Sequence, residues 1–332
     1  MSKKETSSLK RREFLKASLA GLAAMPALSL KVLPVNPEKK TEIALIKTKD
    51  RKRAVREALR LLDFRSMKGE KVLVKPNFNS ADPFPASTHN DTLAAFIQEI
   101  KARGAARVTV GERSGPPPTQ KVMEDKGIFA LAKELGFEVI NFEDLAEADW
   151  VHFSPAGNHW PEGFDVPRPV VEAETIVSTC CLKTHQYGGV FTMSLKLSVG
   201  LTPKKLMRTL HRSPDQRKMI AEINTAYSPQ LIIMDGIETF VDGGPSTGQK
   251  AEGDVFVGGT DRIAVDAVGV AILKELGSNE TIMNTRIFEQ EQISRAVELG
   301  LGISSPAQIE FVTPDEPSRL YADKLKGILA QG

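Results

Sequence analysis

The chain has 332 residues, of which 41% are hydrophobic and 26% are charged, a composition typical of a globular protein with a substantial core. Six basic and two acidic side chains fall within the first 16 residues, so this segment carries +4 and the remainder of the chain about −2, for a total of +2. A slightly acidic body with only 6% aromatic residues lacks the basic surface and the stacking platforms of nucleic-acid-binding proteins.

The first 30 residues have the organisation of an export signal. A charged stretch ends in KRREFLK at residues 10–16, and residues 17–30 are mostly small and apolar. This run is shorter than the roughly 20 residues that a transmembrane helix needs, and Ala27 and Ser29 are small residues that suit cleavage. We therefore predict a signal peptide at residues 1–30, a linker at 31–40, and a mature, soluble chain without a membrane anchor. A basic amphipathic helix is the alternative for the first segment.

The string KRREFLK resembles the twin-arginine export signal, in which Ser or Thr precedes two arginines, any residue, Phe, Leu and Lys. Lys10 replaces the Ser or Thr, and the other specified positions match. The resemblance implies a periplasmic or otherwise exported protein that folds before it meets its partner, the twin-arginine translocase. Cargoes of this route often carry a cofactor that is inserted beforehand.

Residues 41–332 predict an α/β domain, with residues 41–148 and 170–332 as two intimately joined halves. Apolar strands alternate with helices, which is typical of βαβ units around a mostly parallel central sheet with helices on both faces. The predicted strands are EIALIK, KVLVKPN, RVTVGE, FEVINF, TIVSTCCLKTH, QLIIMDG, DVFVGGT and IEFVT. The predicted helices span 51–64, 90–103, 123–135, 204–211, 216–227, 262–276 and 289–299. Residues 149–170 predict a long loop.

Four predicted strands end in polar side chains at the edge where parallel sheets bind their ligands. These side chains are Lys75 and Asn77, Glu112 and Arg113, Lys183 and His185, and Asp235. One polar strand end often marks only where the chain leaves the core, but four at one edge predict a convergent site. Lys75 and Lys183, together with Lys196 in an apolar context, predict a carboxylate or phosphate ligand, because a half-buried lysine needs a negative partner. A snorkelling lysine is the alternative for Lys196.

The histidines and cysteines bear on metal binding. His89 opens a predicted helix, His185 ends a strand, and His211 ends a basic helix, so these three could hold a divalent metal. No HxH or HExxH spacing supports such a site, and hydrogen-bonded polar residues around an organic ligand are the alternative. Cys180 and Cys181 are adjacent and no CxxC spacing occurs, so the chain cannot build an iron–sulfur cluster of its own.

Two further segments have features of a binding site. The string DGGPSTG at 242–248, which contains Gly243 and Gly244, has the composition of a loop whose backbone approaches a ligand, but it lacks the Lys-Ser/Thr ending of a P-loop. Asp266 lies on the apolar face of a predicted helix, which indicates a buried carboxylate that is paired or faces a ligand.

Several strings together resemble an uncharacterised family, the domain of unknown function 362. They are VLVKPNFN, Thr88-His89, CLKTHQYGGVFTMSLKLSVG with a downstream His211, MDGIETFVDGGPSTG, and GGTDRIAVDAVGVAILKELG, which together cover roughly residues 70–277. The resemblance implies family motif positions at Lys75, Asn77, His89, Lys183, His185, Lys196, His211, Asp235, Gly244 and Asp266. Leu197 stands where relatives commonly have Asn. Many relatives also carry a ferredoxin-like segment that this chain lacks, so a redox role would need a partner protein.

Three functions follow from these observations. The first is an enzyme or cofactor-binding protein for a small anionic molecule, in which the lysines bind anionic oxygens and His185 acts as general acid or base, oriented by Asp235 or Asp266. The second is a periplasmic binding or carrier protein that uses the same cleft without chemistry. The third is a metal-dependent enzyme with His89, His185 and His211 as ligands, distantly similar in fold to nickel-pincer lactate racemases. The cofactor and the reaction stay open.

Overall fold

A nine-stranded mixed sheet lies at the centre of the protein. The computed structural model describes residues 40–331, so the predicted signal peptide and all but the last residue of the predicted linker lie outside the described residues. The strands are β1 (Thr41–Lys47), β2 (Lys71–Lys75), β3 (Arg107–Glu112), β4 (Glu138–Asn141), β5 (Trp150–Phe153), β6 (Phe164–Pro167), β7 (Thr175–His185), β8 (Val190–Thr192), β9 (Leu231–Gly243), β10 (Gly248–Gly259) and β11 (Ile309–Val312).

The strand order is β11-β1-β10-β9-β7-β2-β3-β4, and β8 pairs with the end of β7. Neighbours are parallel from β9 through β7, β2 and β3 to β4 and also between β1 and β11. β10 is antiparallel to both β1 and β9, and β8 is antiparallel to β7. The mostly parallel α/β sheet is thereby confirmed. β1 lies between β10 and β11, so strands from both predicted halves join in one sheet.

The helices cover both faces of this sheet, as expected. They are α1 (Arg51–Leu61), α2 (Asn90–Ala102), α3 (Thr119–Asp125), α4 (Ile128–Leu135), α5 (Arg168–Val171), α6 (Met207–Arg212), α7 (Gln216–Ile223), α8 (Arg262–Glu275), α9 (Glu280–Asn284), α10 (Glu291–Glu298) and α11 (Glu316–Gln331). Among residues 40–331, none of the helices is both long and apolar enough to cross a bilayer.

Alternation along the strands explains the two covered faces. Ile43 and Leu45 pack in one apolar cluster with α8, α10 and α11, whereas Ala44 and Ile46 pack in a second cluster with α1, α2 and α4. Cys180 and Cys181 divide in the same way between the two clusters. Successive strand side chains point to opposite faces, so nearly continuous apolar strands require a helical layer on each side.

The structure corrects several predicted elements. Gly127, with φ of 69°, separates α3 from α4, where one helix was predicted. Residues 149–170 contain the antiparallel pair β5 and β6 instead of a plain loop, and α11 was not predicted. β9 continues past Asp235 to Gly243, because the antiparallel partner β10 extends its hydrogen-bonded ladder beyond the parallel part of the sheet.

Candidate functional site

A buried cavity lies at the carboxyl ends of the neighbouring parallel strands β2, β3 and β7. We call it the inner cavity; its volume is about 50 Å³. Its polar lining side chains are Lys75, Asn77, Asn79, Glu112, Arg113, Lys183, His185, Thr192 and Lys196. Since the ends of parallel strands meet at one edge, three separate segments of the chain supply this lining. The reversal from β7 into β8 adds Thr192, and the 3₁₀ turn at Leu195–Leu201 adds Lys196.

Lys75 and Glu112 form a buried ion pair in this cavity. The Nζ atom of Lys75 lies 2.6 Å from Oε1 of Glu112 and also donates to the carbonyl oxygen of Pro76 at 2.8 Å. The carboxylate accepts from the backbone N–H groups of Phe78 and Arg113 as well. Burial lowers the pKa of Lys75, and Glu112 opposes that shift. The anionic partner expected for Lys75 is therefore a protein carboxylate.

Lys183 is fully buried and has no carboxylate partner in the described part of the chain. Its ammonium donates to the backbone carbonyl oxygens of Ala86 and Pro245, the latter at 2.9 Å. Burial lowers the pKa of Lys183 to about 8. Two carbonyl dipoles solvate the ammonium without neutralising its charge, so Lys183 contributes positive potential to the inner cavity.

Lys196 differs from the other two lysines because its ammonium has no hydrogen-bond or ion-pair partner among residues 40–331. Burial lowers its pKa to about 7, and the cations Lys183 and Arg113 add to the shift. Gly189 makes room for the lysine stem, since a Cβ atom there would lie 2.6 Å from Cε of Lys196. The ammonium of Lys196 can therefore donate hydrogen bonds to a molecule in the cavity.

His185 is neutral in this environment. Burial lowers its pKa far below the usual range, and the nearby Lys196 and Lys183 lower it further. His185 is 7% exposed, and its buried Nδ1 atom has no hydrogen-bond partner among residues 40–331. The hydroxyl oxygen of Thr192 is buried without a partner in the same cavity. Both groups can therefore bond to a molecule that enters.

Arg113 lines the inner cavity and is held by backbone carbonyl groups. Its guanidinium donates to the carbonyl oxygens of Thr202 at 2.7 Å, Ser114 at 3.0 Å and Val199. Burial lowers its pKa to about 10. Sequence reasoning placed Arg113 at a strand end but did not include it among the site residues, although its position next to Glu112 was the available signal.

A wider opening, which we call the outer cleft, adjoins the inner cavity and shares Arg113, His185 and Lys196 with it. Its volume is about 930 Å³. It also shares Val199 and Pro245 with the inner cavity. The added lining combines apolar and polar groups: Pro116, Tyr187, Lys204, Met207, His211, Gln216 and Gly244. Tyr187 is 62% exposed, so an aromatic face stands at the entrance. The outer cleft suits the less polar part of a ligand.

Gly244 lets the 242–248 segment approach β7 closely. Its φ is 72°, and a Cβ atom there would lie 2.1 Å from the carbonyl oxygen of Thr184. The neighbouring Pro245 supplies one of the carbonyl groups that hold Lys183. Gly243 also has a left-handed φ but lines neither cavity. The predicted close approach is therefore made to the protein's own strand.

The expectation that Asp235 or Asp266 orients His185 is wrong. Asp235 accepts hydrogen bonds from Nε of Arg51 at 2.9 Å and from Oγ1 of Thr92 at 2.6 Å, and it lines neither cavity. It lies within β9, well before the end of that strand, which removes it from the sheet edge. Burial raises its pKa, and Arg51 opposes the shift.

Asp266 supports the site from behind. Its carboxylate oxygens accept the backbone N–H groups of Ser194 at 2.7 Å and Leu195 at 3.0 Å. Burial raises the pKa of Asp266 to about 7. These bonds hold the start of the turn that carries Lys196, so Asp266 is a positioning residue.

The three histidines proposed as metal ligands do not meet in one site: His185 and His211 both line the outer cleft, but His89 lines neither cavity. His89 caps α2 by accepting the N–H of Asp91 at 3.1 Å, and burial lowers its pKa. The ring of His211 bonds to the carbonyl oxygen of Met207 at 2.7 Å and reaches only the outer cleft. Within the described part of the chain, no group of three or more His, Cys, Asp or Glu side chains is arranged to hold a metal ion.

Fold and site together define an α/β protein with a buried basic cavity at the ends of parallel strands. The chain belongs to the family described as a domain of unknown function, DUF362, which matches residues 72–271. It is also 24% identical over 213 residues to the thylakoid-associated protein sll1697 of Synechocystis sp.. That match covers 62% of this chain and 64% of the relative, so less than two thirds of the relative's length is spanned.

Several solved structures are similar to this chain. The lactate racemase apoprotein from Thermoanaerobacterium thermosaccharolyticum has 13% identity and a TM-score of 0.44, over 85% of each chain. A protein from Thermotoga maritima has 12% identity and a TM-score of 0.43, over 68% of this chain and 58% of the other.

Proposed function

We propose that the protein binds, and acts on, a small molecule with an anionic group that enters the inner cavity. The ammonium of Lys196, which is partly buried and has no counter-ion among the described residues, is the observation that carries this proposal. Four basic side chains line the inner cavity together with a single lining carboxylate, that of Glu112. The basic side chains are Lys75, Arg113, Lys183 and Lys196. A buried excess of positive charge is costly unless an anion balances it.

Unfilled hydrogen-bonding capacity supports the same proposal. Nδ1 of His185 and Oγ1 of Thr192 have no partner, and the side-chain amide of Asn77, which is 5% exposed, has none among the described residues. Each unsatisfied buried polar group costs roughly 1–3 kcal/mol. An anion that carries its own hydrogen-bonding groups would satisfy these side chains and the charge together.

The outer cleft supports a ligand with a less polar body. Tyr187 and Met207 line the outer cleft but not the inner cavity. A molecule whose anionic end reaches Lys196 would place the rest of its structure against these side chains. This division of polar and apolar walls is typical of small-molecule sites.

The binding proposal is tested with the full chain and a matched pair of variants. Lys196→Met removes the unpaired ammonium, whereas Lys121→Met removes an exposed lysine that pairs with Asp125 on α3. Native mass spectrometry of each purified protein identifies any small anion that travels with it, and calorimetry with that anion measures affinity. We expect at least about a tenfold loss for Lys196→Met and no change for Lys121→Met. Equal affinity of the two variants would contradict the proposal.

The variant His185→Gln distinguishes an enzyme from a carrier protein that binds the ligand without chemistry. Its neutral imidazole lines both the inner cavity and the outer cleft, where it can exchange a proton with a bound molecule. In an enzyme, His185→Gln abolishes turnover of the identified ligand; in a carrier, the same variant leaves the ligand unconverted, as the wild type does, and keeps affinity.

We also propose that the chain is exported through the twin-arginine route. The support is the string KRREFLK at residues 10–16. Replacing Arg11 and Arg12 by Lys should leave the protein in the cytoplasm, as measured by cell fractionation and immunoblotting. Export of that variant at the wild-type level would overturn the proposal.

A further inference from the structure

We infer that Lys196 is a nucleophilic amine that forms a Schiff base with the aldehyde or ketone group of its anionic ligand. The inference rests on the proposed function and deepens it, because it names the ligand class as oxo acids. It also assigns a covalent role to one of the three cavity lysines.

The contacts of the three lysines distinguish Lys196 from the others. The nitrogen of Lys75 is bonded to Glu112 and Pro76, and the nitrogen of Lys183 is bonded to Ala86 and Pro245. The nitrogen of Lys196 has no such bond within residues 40–331. It lines both the inner cavity and the outer cleft, so a ligand arriving from solvent can reach it.

The charges around Lys196 favour the amine over the ammonium. Lys183 and Arg113 are positive, Glu112 is already engaged by Lys75, and His185 is neutral. A lysine that is desolvated beside other cations loses its proton more readily and exposes the lone pair that attacks a carbonyl carbon. At neutral pH both forms of Lys196 are present.

The lysine stem is also held in place. Gly189 leaves no more than the space that Cε of Lys196 occupies, as the 2.6 Å distance to an added Cβ atom indicates. Asp266 fixes the backbone at Ser194 and Leu195, directly before the lysine. A positioned nucleophile lowers the entropic cost of the attack.

The reaction balances with groups that line the cavity. The Lys196 nitrogen forms a bond to the carbonyl carbon, and the carbonyl π pair moves to the oxygen. The Lys183 ammonium protonates that oxygen and then takes a proton from the new C–N nitrogen, which leaves a neutral carbinolamine. The hydroxyl group accepts a proton from solvent and departs as water, while the nitrogen lone pair forms the C=N bond. An amine, a carbonyl group and one proton thus give a protonated imine and water.

The ligand's carboxylate has defined partners. The positive charges of Arg113 and Lys183 and the open bonding capacity of Asn77 and Thr192 lie around the same cavity. A carboxylate near these groups would hold the carbonyl carbon next to Lys196. An anion without a carbonyl group would bind in the same place but form no covalent bond.

Reductive trapping tests the inference. The full chain is incubated with pyruvate, or with phenylpyruvate as a probe whose apolar body suits the outer cleft, and with sodium cyanoborohydride near neutral pH. We expect a reduced adduct in the intact mass, located at Lys196 by peptide mapping. Lys196→Arg keeps the charge but should lower trapping by at least about tenfold, whereas Lys121→Arg, at an exposed lysine that pairs with Asp125 outside both cavities, should leave it unchanged. Melting temperatures establish that each variant is folded.

The outcomes separate this inference from the proposed function. No adduct with either probe, or labelling spread equally over surface lysines, overturns the Schiff base. If the same probes still bind in calorimetry without reductant, and Lys196→Met weakens that binding, anion binding stands and only the covalent step fails. If neither the probes nor the co-purified anion shows binding that depends on Lys196, the proposed function fails with it.

Discussion

Lys75 and Glu112 join the ends of the adjacent strands β2 and β3 through an ion pair of 2.6 Å, in which neither side chain is more than 3% exposed. The pair removes one lysine and the cavity's one lining carboxylate from direct contact with a ligand. Of the lysines that line the cavity, it leaves Lys183 and Lys196 without a carboxylate partner among the described residues. The unbalanced positive charge of the cavity therefore comes from these two lysines and Arg113.

Glu112→Gln tests how much the buried ion pair contributes to the stability of the fold. The change leaves the buried Lys75 without an opposite charge, and breaking a buried pair costs about 3–5 kcal/mol. We expect the free energy of unfolding, measured by urea denaturation, to fall by that amount. Glu138→Gln breaks the exposed pair with Arg107, where both side chains are 57% exposed, and should cost less than about 1 kcal/mol. Similar losses in the two variants would show that the buried pair has no special weight.

Anion affinity should fall as pH rises. The pKa of Lys196 is lowered to about 7 and that of Lys183 to about 8, and a bound anion raises both because it stabilises the charged forms. Binding is therefore strongest below pH 7, and above the lysine pKa values Kd should increase by about tenfold per pH unit for each amine that must be protonated.

Calorimetry with acetate, an anion without an electrophilic carbonyl, measures this between pH 6 and 9. Buffers of different ionisation enthalpy report the proton uptake that accompanies binding. Lys196→Arg should remove the part of the transition near pH 7, since arginine stays charged. A Kd that stays constant from pH 6 to 9 would show that anion binding does not depend on protonation of these lysines.

Asp266→Asn should destabilise the protein more at pH 5 than at pH 8. Burial raises the folded-state pKa of Asp266 to about 7 from an ordinary value near 3.8. A raised acid pKa means that the folded state binds the proton more tightly, so the stability contributed by Asp266 is complete below pH 4 and declines as pH rises toward 7. Asparagine does not titrate, so the difference in unfolding free energy between the wild type and the variant should shrink by more than about 1 kcal/mol from pH 5 to pH 8.

Urea unfolding of both proteins at pH 5 and pH 8 provides the comparison. Because Asp266 holds the turn that carries Lys196, the variant should also trap less oxo acid at either pH. If the difference in unfolding free energy between the two proteins grows toward pH 8, the pKa of Asp266 is lowered in the folded state and the assigned direction is wrong.

Gly244→Ala should impair both stability and anion binding. The left-handed φ costs an alanine roughly 1–2 kcal/mol, and its Cβ atom would meet the Thr184 carbonyl oxygen at 2.1 Å. Relief of that contact displaces Pro245, which holds Lys183. Gly277→Ala is the matched control, since Gly277 has φ of 75° with nothing within 4 Å. Denaturation curves and acetate titrations that coincide for the two variants would refute the close-approach argument.

Most of the sheet could be predicted because its signals are local. TIVSTCCLKTH and RVTVGE coincide with β7 and β3, since an apolar strand buried on both faces reads as a continuous apolar run. The turn at Leu195–Leu201 and the extension of β9 had no comparable signal. Both depend on partners far along the chain, Asp266 for the turn and β10 for the strand.

The sequence by itself determined the α/β architecture and the placement of Lys75, Arg113, Lys183 and His185 at one edge, because strand periodicity and strand direction are properties of short segments. The tertiary structure alone decided which of these charges is balanced. Glu112 neutralises Lys75, backbone carbonyls hold Lys183, and Lys196 is left unpaired. Counter-ions come from residues distant in the chain, and electrostatic energy depends on separation in space and on burial, neither of which a linear pattern contains.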